Sequence, residues 1–358
     1  MGEGSWGLRL PVLGSLALAA LAGCTSLGHH HGAGASCPPQ PVPLCGPAPP
    51  APAAPRYVNL VFEGGGVKGV AYAGALEVLE RRGVLGGIRR VAGTSAGAIG
   101  ATLVALGYTP DEIRRLLLDL DFLRFEDGST LGGPFRLIRR FGWYRGAFFL
   151  DWMRDRVRQK TGAPDTTFAE LRAQPDRFRE LYVVGSDLSR RRVQVFSHTT
   201  SPDLPVAQAV RSSMSIPLFF EAAHVASSRF GKAGGTDLFV DGGILANFPI
   251  FIFDQPPFVP VEQVNRETLG FVLEDLHRSA DARVEIRNFR DYTKELVETI
   301  LSVQESAFRD SADDRARTVV IDNLGVRTTD FEITLATKCA LMHQAAVATC
   351  EYLERHPP

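Results

Sequence analysis

The sequence predicts an α/β protein with three layers, α/β/α, and a mostly parallel central sheet. Three observations carry this expectation. From residue 57 onward, short apolar segments of strand composition alternate with segments of helical spacing. Glycine-rich turns recur where a strand gives way to a helix. No internal repeat and no second linker interrupt residues 56–358, which read as one domain. The chain has 358 residues, enough for one core of roughly 250–300 residues. Its 45% hydrophobic content excludes a disordered chain. A formal net charge of −1 argues against nucleic acid as a partner. No apolar run reaches the ~18–20 residues that span a bilayer.

The N-terminus reads as an address and a tether. Arg9 precedes the apolar run 10–23, and small residues lead into Cys24. This is the pattern of a secretory signal. The spelling Leu21-Ala22-Gly23-Cys24 resembles a bacterial lipobox. That resemblance implies cleavage before Cys24, a lipid on its sulfur, and a protein exported to the bacterial cell envelope and anchored there, at the outer membrane. The alternative is an ordinary signal with an incidental cysteine. Residues 24–55 are rich in proline and lack Asp, Glu, Lys and Arg, so they read as an extended spacer. His29, His30 and His31 within it read as a solvated patch rather than a metal site. Cys37 and Cys45 bracket seven residues and could pair in an oxidising compartment. Cys339 and Cys350 fall eleven residues apart in a predicted helix, roughly 16 Å by helical rise. That is beyond disulfide reach, so they are expected to be buried free thiols.

The remaining elements follow in order. Residues 57–62 are a short strand, 64–69 a glycine turn, and 70–82 a helix ended by Gly83. Residues 88–92 form the second strand and 96–106 a small apolar helix. Thr109-Pro110-Asp111-Glu112 is a helix start: a capping side chain, proline in the first turn, then acids at the positive end. Strands are predicted at 181–185, 193–196, 238–240 and 269–273, and long helices at 284–310 and 331–354.

Three constellations carry chemistry. Glu63-Gly64-Gly65-Gly66-Val67-Lys68-Gly69 joins a strand to a helix. It matches G-x-G-x-x-G, but the acid that would hold a ribose after the second strand is missing. It lacks a P-loop ending as well. Four glycines in six exceed what a tight turn needs, and bare N–H groups at a helix start stabilise an oxyanion. Gly93-Thr94-Ser95-Ala96-Gly97 is G-x-S-x-G between strand and helix, the nucleophile elbow, and stands even with a simple tight turn on its own. Asp241-Gly242-Gly243 follows a strand, where an acid faces the usual active-site edge. A triad in elbow order needs a histidine after Asp241, and His277, His343 and His356 qualify by order alone.

In this order and spacing the motifs resemble the patatin-like phospholipases. The stretches Ala209-Val210-Arg211-Ser212-Ser213-Met214-Ser215-Ile216-Pro217 and Asp241-Gly242-Gly243-Ile244-Leu245-Ala246-Asn247-Phe248-Pro249 extend the likeness. The resemblance covers roughly 57–250 and thins over the last hundred residues. It implies the patatin fold and a serine–aspartate dyad, with Ser95 as nucleophile and Asp241 as base. Gly64, Gly65, Gly66 and Gly69 would line the oxyanion hole. No cofactor and no metal are implied. The substrate would be a phospholipid or another acyl-ester lipid, with lysophospholipase and acyltransferase as close variants. Glu63 stands where Asp or Ser is frequent, and Lys68 where Arg is frequent. Lys68 would meet a substrate phosphate or pair with Glu63. Such a dyad requires a buried Asp241, because an ordinary aspartate is a poor base at neutral pH. Two alternatives remain: a histidine-assisted esterase using His277 or His343, and a catalytically inactive lipid-binding lipoprotein. Oligomeric state is not readable. The aromatic and arginine stretch 122–153 reads as core with a solvated rim, or as a surface for an anionic membrane.

Overall fold

The computed structural model describes residues 36, 37, 45, 56–277 and 283–357. The apolar segment 10–23, Cys24, and His29, His30 and His31 lie outside the described residues. In chain order the strands are β1 (Asn59–Phe62), β2 (Arg90–Thr94), β3 (Gly142–Tyr144), β4 (Glu180–Asp187), β5 (Arg192–Phe196), β6 (Leu218–Phe220), β7 (Ala223–Ala226), β8 (Thr236–Asp241), β9 (Thr268–Glu274) and β10 (Thr318–Asp322). The helices are α1 (Tyr72–Arg81), α2 (Ala96–Ala105), α3 (Pro110–Asp119), α4 (Gly133–Arg140), α5 (Ala147–Thr161), α6 (Phe168–Arg172), α7 (Val206–Ser213), α8 (Phe289–Asp310), α9 (Ala312–Ala316) and α10 (Leu335–Arg355).

The fold is mixed α/β around a central, mostly parallel sheet, as expected. The sheet runs β10-β9-β1-β2-β4-β8-β7, with β5 also on β4. Strands β10, β9, β1, β2 and β4 are mutually parallel, whereas β8, β7 and β5 join antiparallel. Alternating side chains face opposite ways along a strand. Leu60 and Phe62 therefore enter the large core under the helices, while Val61 enters a smaller one covered by Ile250, Ile252 and Phe253.

Element boundaries move where tertiary pairing decides them. The second strand runs two residues beyond 92, because Gly93 pairs with Phe62 and Thr94 with Val184. Residues 66–71 wind as a 3₁₀ turn before α1 begins. Thr109 caps α3 as predicted: its Oγ1 accepts from Glu112 N and Glu112 Oε2 accepts from Thr109 N. The far end of α3 is closed by buried Lys338, whose Nζ donates to the carbonyls of Leu117, Leu118 and Leu120.

Helices α1 and α10 cross with almost no gap. A Cβ on Gly74 would lie 1.8 Å from Met342 O. Because that neighbour is backbone, Gly74→Ala is expected to lower stability by about 2–3 kcal/mol. Urea unfolding should show an earlier midpoint with an unchanged slope.

The cysteines depart from the sequence expectation. Cys37 is bonded to Cys339, and Cys45 to Cys350. Cys37 and Cys45 therefore do not pair with each other, and Cys339 and Cys350 are not free thiols. The helical spacing correctly separates Cys339 from Cys350. The partners lie about 300 residues away in sequence, beyond the range of any local rule. The proline-rich segment is thus fastened to α10 at two points.

Candidate active site

Ser95 sits at the turn from β2 into α2 with φ +52°. A non-glycine residue rarely takes this conformation, and it projects the hydroxyl away from the sheet edge. Gly97 makes the turn possible: a Cβ there would lie 2.3 Å from Phe62 O. The peptide is held by Ser95 N donating to Ser213 Oγ at 2.9 Å. Asp241 ends β8, which reaches the same edge from the other direction. Ser95 Oγ donates to Asp241 Oδ2 at 2.7 Å, and Gly243 N donates to Asp241 Oδ1 at 2.7 Å. Both side chains of the pair are buried. Burial pushes the Asp241 carboxyl from 3.8 up to about 7, and the Ser95 and Gly243 hydrogen bonds only partly oppose it. The burial that a carboxylate base would require is present.

The glycine turn lies against the pair but divides its tasks. The N–H groups of Gly65 and Gly66 have no hydrogen-bond partner among the described residues, and neither has the N–H of Ala96 at the start of α2. Gly65 lines the same pocket as Ser95 and Asp241. Gly66 has φ +56°, and a Cβ on it would lie 1.9 Å from Thr328 O. Two expected oxyanion residues serve differently. Gly64 N donates to Asn247 O at 3.1 Å, so its N–H is occupied. Gly69 lies within the 3₁₀ turn, where a Cβ would meet Ala96 Cβ at 2.8 Å; it lets two helices approach.

Asn247 braces this loop. Its Nδ2 donates to Glu63 Oε1 at 3.0 Å and to Gly64 O at 3.2 Å, while Glu63 Oε2 accepts from Leu273 N at 2.8 Å. Glu63 is thus committed to the scaffold rather than to Lys68. Lys68 is buried, and among the described residues its ammonium makes no hydrogen bond or ion pair. From α8, Gln304 receives Asn247 N at 2.7 Å and donates Nε2 to Gly243 O. Asn247, Gln304, Ser213 and the Ala96 N–H carry no role in the sequence reading. The one local hint is a lone amide in the apolar run from Ile244 to Ile252.

The family model described as patatin-like phospholipase matches residues 60–254. The chain belongs to the patatin-like phospholipase family. Membership places this patatin-like protein among the lipid hydrolases. It is 34% identical to the protein YqhO of Bacillus subtilis over 80% of this chain and 94% of that one. It is 27% identical to a probable lipid hydrolase, 463L, of Invertebrate iridescent virus 6, over 55% of this chain and 63% of the relative. The crystal structure of VipD from Legionella pneumophila shares the fold with a TM-score of 0.55 and 18% identity, covering 85% of this chain and 68% of that one.

In this patatin-like site no histidine among the described residues lines the pocket over Ser95 and Asp241. His277 Nε2 instead pairs with Asp322 Oδ2 at 3.0 Å and is 79% exposed at its side chain. His343 lies within α10. The pocket over the pair measures about 10 Å³, and its roof is Val297 and Leu301 of α8. That is room for about one water. Burial along the stretch 122–153 is mixed. Phe122, Phe125 and Phe149 are core, whereas Phe135, Ile138 and Phe141 are exposed beside Arg139.

Proposed function

We propose that the protein is a serine lipid acyl hydrolase of the phospholipase A or lysophospholipase type, acting through Ser95 and Asp241. The observation that carries this is the 2.7 Å bond from Ser95 Oγ to a buried Asp241 carboxyl held near pH 7. A carboxylate of that basicity is matched to removing a hydroxyl proton at neutral pH. Ser95 Oγ attacks the ester carbonyl carbon, and its proton passes to Asp241 Oδ2. The carbonyl oxygen becomes an oxyanion facing the free N–H groups of Gly65, Gly66 and Ala96. Each such donor contributes roughly 3–4 kcal/mol in the transition state. Collapse breaks the C–O bond, and the departing alkoxide takes the proton from Asp241. Water then attacks the acyl-enzyme, giving its proton to Asp241; release of fatty acid returns that proton to Ser95.

Lys68 is suited to a phosphate on the substrate: most of its side chain is buried, and among the described residues its ammonium makes no hydrogen bond or ion pair. Export with a lipid on Cys24 would bring the enzyme to its substrate at the bacterial envelope. This location rests on the lipobox spelling alone.

The test is fatty-acid release from a phospholipid and from a short-chain ester by the full chain and by Ser95→Ala. Release from both, with the variant at least about 10³-fold slower, is the expected result. Equal release by the folded variant would reject Ser95 as nucleophile. No release from either substrate by the wild type would move the assignment to a lipid-binding lipoprotein.

A further inference from the structure

We propose that the groove between α8 and residues 216–219 is an acyl-chain site that selects fatty-acid length. The proposal rests on the serine hydrolase reading above. Two cavities share its walls. The pocket over Ser95 is flanked by Ile216 and Pro217 on one side and by Val297 and Leu301 on the other. The next residues along both walls, Leu218 and Phe219 facing Thr293 and Phe289, line a second cavity of 350 Å³ with Trp143. Thr293, Val297 and Leu301 recur at steps of four and so lie on one face of α8. From Leu301 to Phe289 that face runs about 18 Å.

The wall chemistry selects hydrocarbon. Thr293 Oγ1 is already bonded to Phe289 O, and the Tyr144 hydroxyl to Glu126 Oε2. Asn288 is occupied in capping α8. The polar groups of Thr293, Tyr144 and Asn288 are therefore bonded elsewhere, and what faces the space is mainly methyl, alkyl and ring surface. A volume near the low end of the ~300–1,000 Å³ typical of ligand sites suits one chain. Leu218, where the wall passes from one cavity lining to the other, holds φ +66°, a strained backbone for a leucine, as found at ligand clamps. One whole wall, α8, lies outside the family match at residues 60–254.

The test compares kcat/KM for p-nitrophenyl esters from butyrate through laurate to palmitate in the full chain, Thr293→Phe and Trp143→Ala. In the wild type, efficiency should rise with chain length by up to roughly fourfold per buried methylene, then level off. Thr293→Phe fills the cavity and should cut the laurate rate about tenfold or more, with butyrate within about twofold. Trp143→Ala widens the opposite wall and should move the preferred length upward. Equal changes on both esters, or none, in folded variants would overturn the proposal. A second readout is independent of turnover: a fluorescent dodecanoate should bind Ser95→Ala and be displaced by dodecanoate. Adding Thr293→Phe should abolish that binding. Binding by a protein that hydrolyses no ester would reject the hydrolase reading and retain the groove. Absence of binding would reject the groove.

Discussion

Asp241→Asn is expected to stop turnover and, at the same time, to stabilise the fold at neutral and alkaline pH. The amide cannot take the Ser95 proton, so activity should fall by about 10²–10⁴-fold. The stability effect follows from where the carboxyl titrates. Its folded value of about 7 lies above the ordinary 3.8. Between about pH 4 and 7 the native state therefore binds more protons than the unfolded chain, and stability falls as pH rises through that window. Above it, the buried carboxylate costs the folded state up to about 4 kcal/mol. Asparagine carries no charge to bury. Melting curves from pH 5 to 8 should show the variant gaining on the wild type as pH rises, then levelling near pH 7.5. The wild-type kcat/KM should show the matching acid limb, falling as pH drops below about 7. A flat difference in melting temperature would mean that Asp241 titrates normally. Substantial residual activity in the variant would mean that it is not the base.

Reducing the two disulfides is expected to be the largest stability change available without touching the site. Each bond joins residues about 300 apart, 302 and 305 in sequence separation. Closing so long a loop restricts the unfolded chain, and removing one such native bond typically costs about 2–5 kcal/mol. The pair should not act additively. With Cys37–Cys339 formed, Cys45–Cys350 closes only residues 37–45 and 339–350, a ring of about 20 residues worth about 3 kcal/mol. Cys45→Ser should therefore cost less than the double variant Cys37→Ser/Cys45→Ser. Guanidinium unfolding of the oxidised protein, the single variant and the double variant gives the ordering. If four free thiols titrate in the unreduced protein unfolded in guanidinium, beyond any from Cys24, the bonds do not form in solution.

The candidate site was legible because its signals are local. Ser95 stands inside a five-residue elbow, and Asp241 heads a three-residue block, each at the end of an apolar strand. What holds them was not legible, because it depends on partners far away in sequence. Asn247 reaches Glu63 across 184 residues, and Gln304 reaches Gly243 across 61. Glycine identity was readable, but its purpose was not. Gly64 and Gly69 look like further donors until Asn247 and Ala96 are placed beside them. Strand β10 escaped notice for a simpler reason. Its apolar run is Val319, Val320 and Ile321, too short to stand out between Arg317 and Asp322.

The two staples also fix the point at which the polypeptide enters the folded body. Strand β10 ends at the edge of the sheet where Ser95 lies, and Thr328 just beyond it touches the glycine turn. Helix α10 starts there and runs back to Tyr57 at the opposite edge, where Tyr352 and Tyr57 meet. Cys339 is near the beginning of that helix and Cys350 near its end. Cys37 therefore marks the catalytic rim, and Cys45 the rear. With both bonds opened, the first hold on the body among the described residues would be Arg56 at the rear, whose guanidinium donates to Pro357 O.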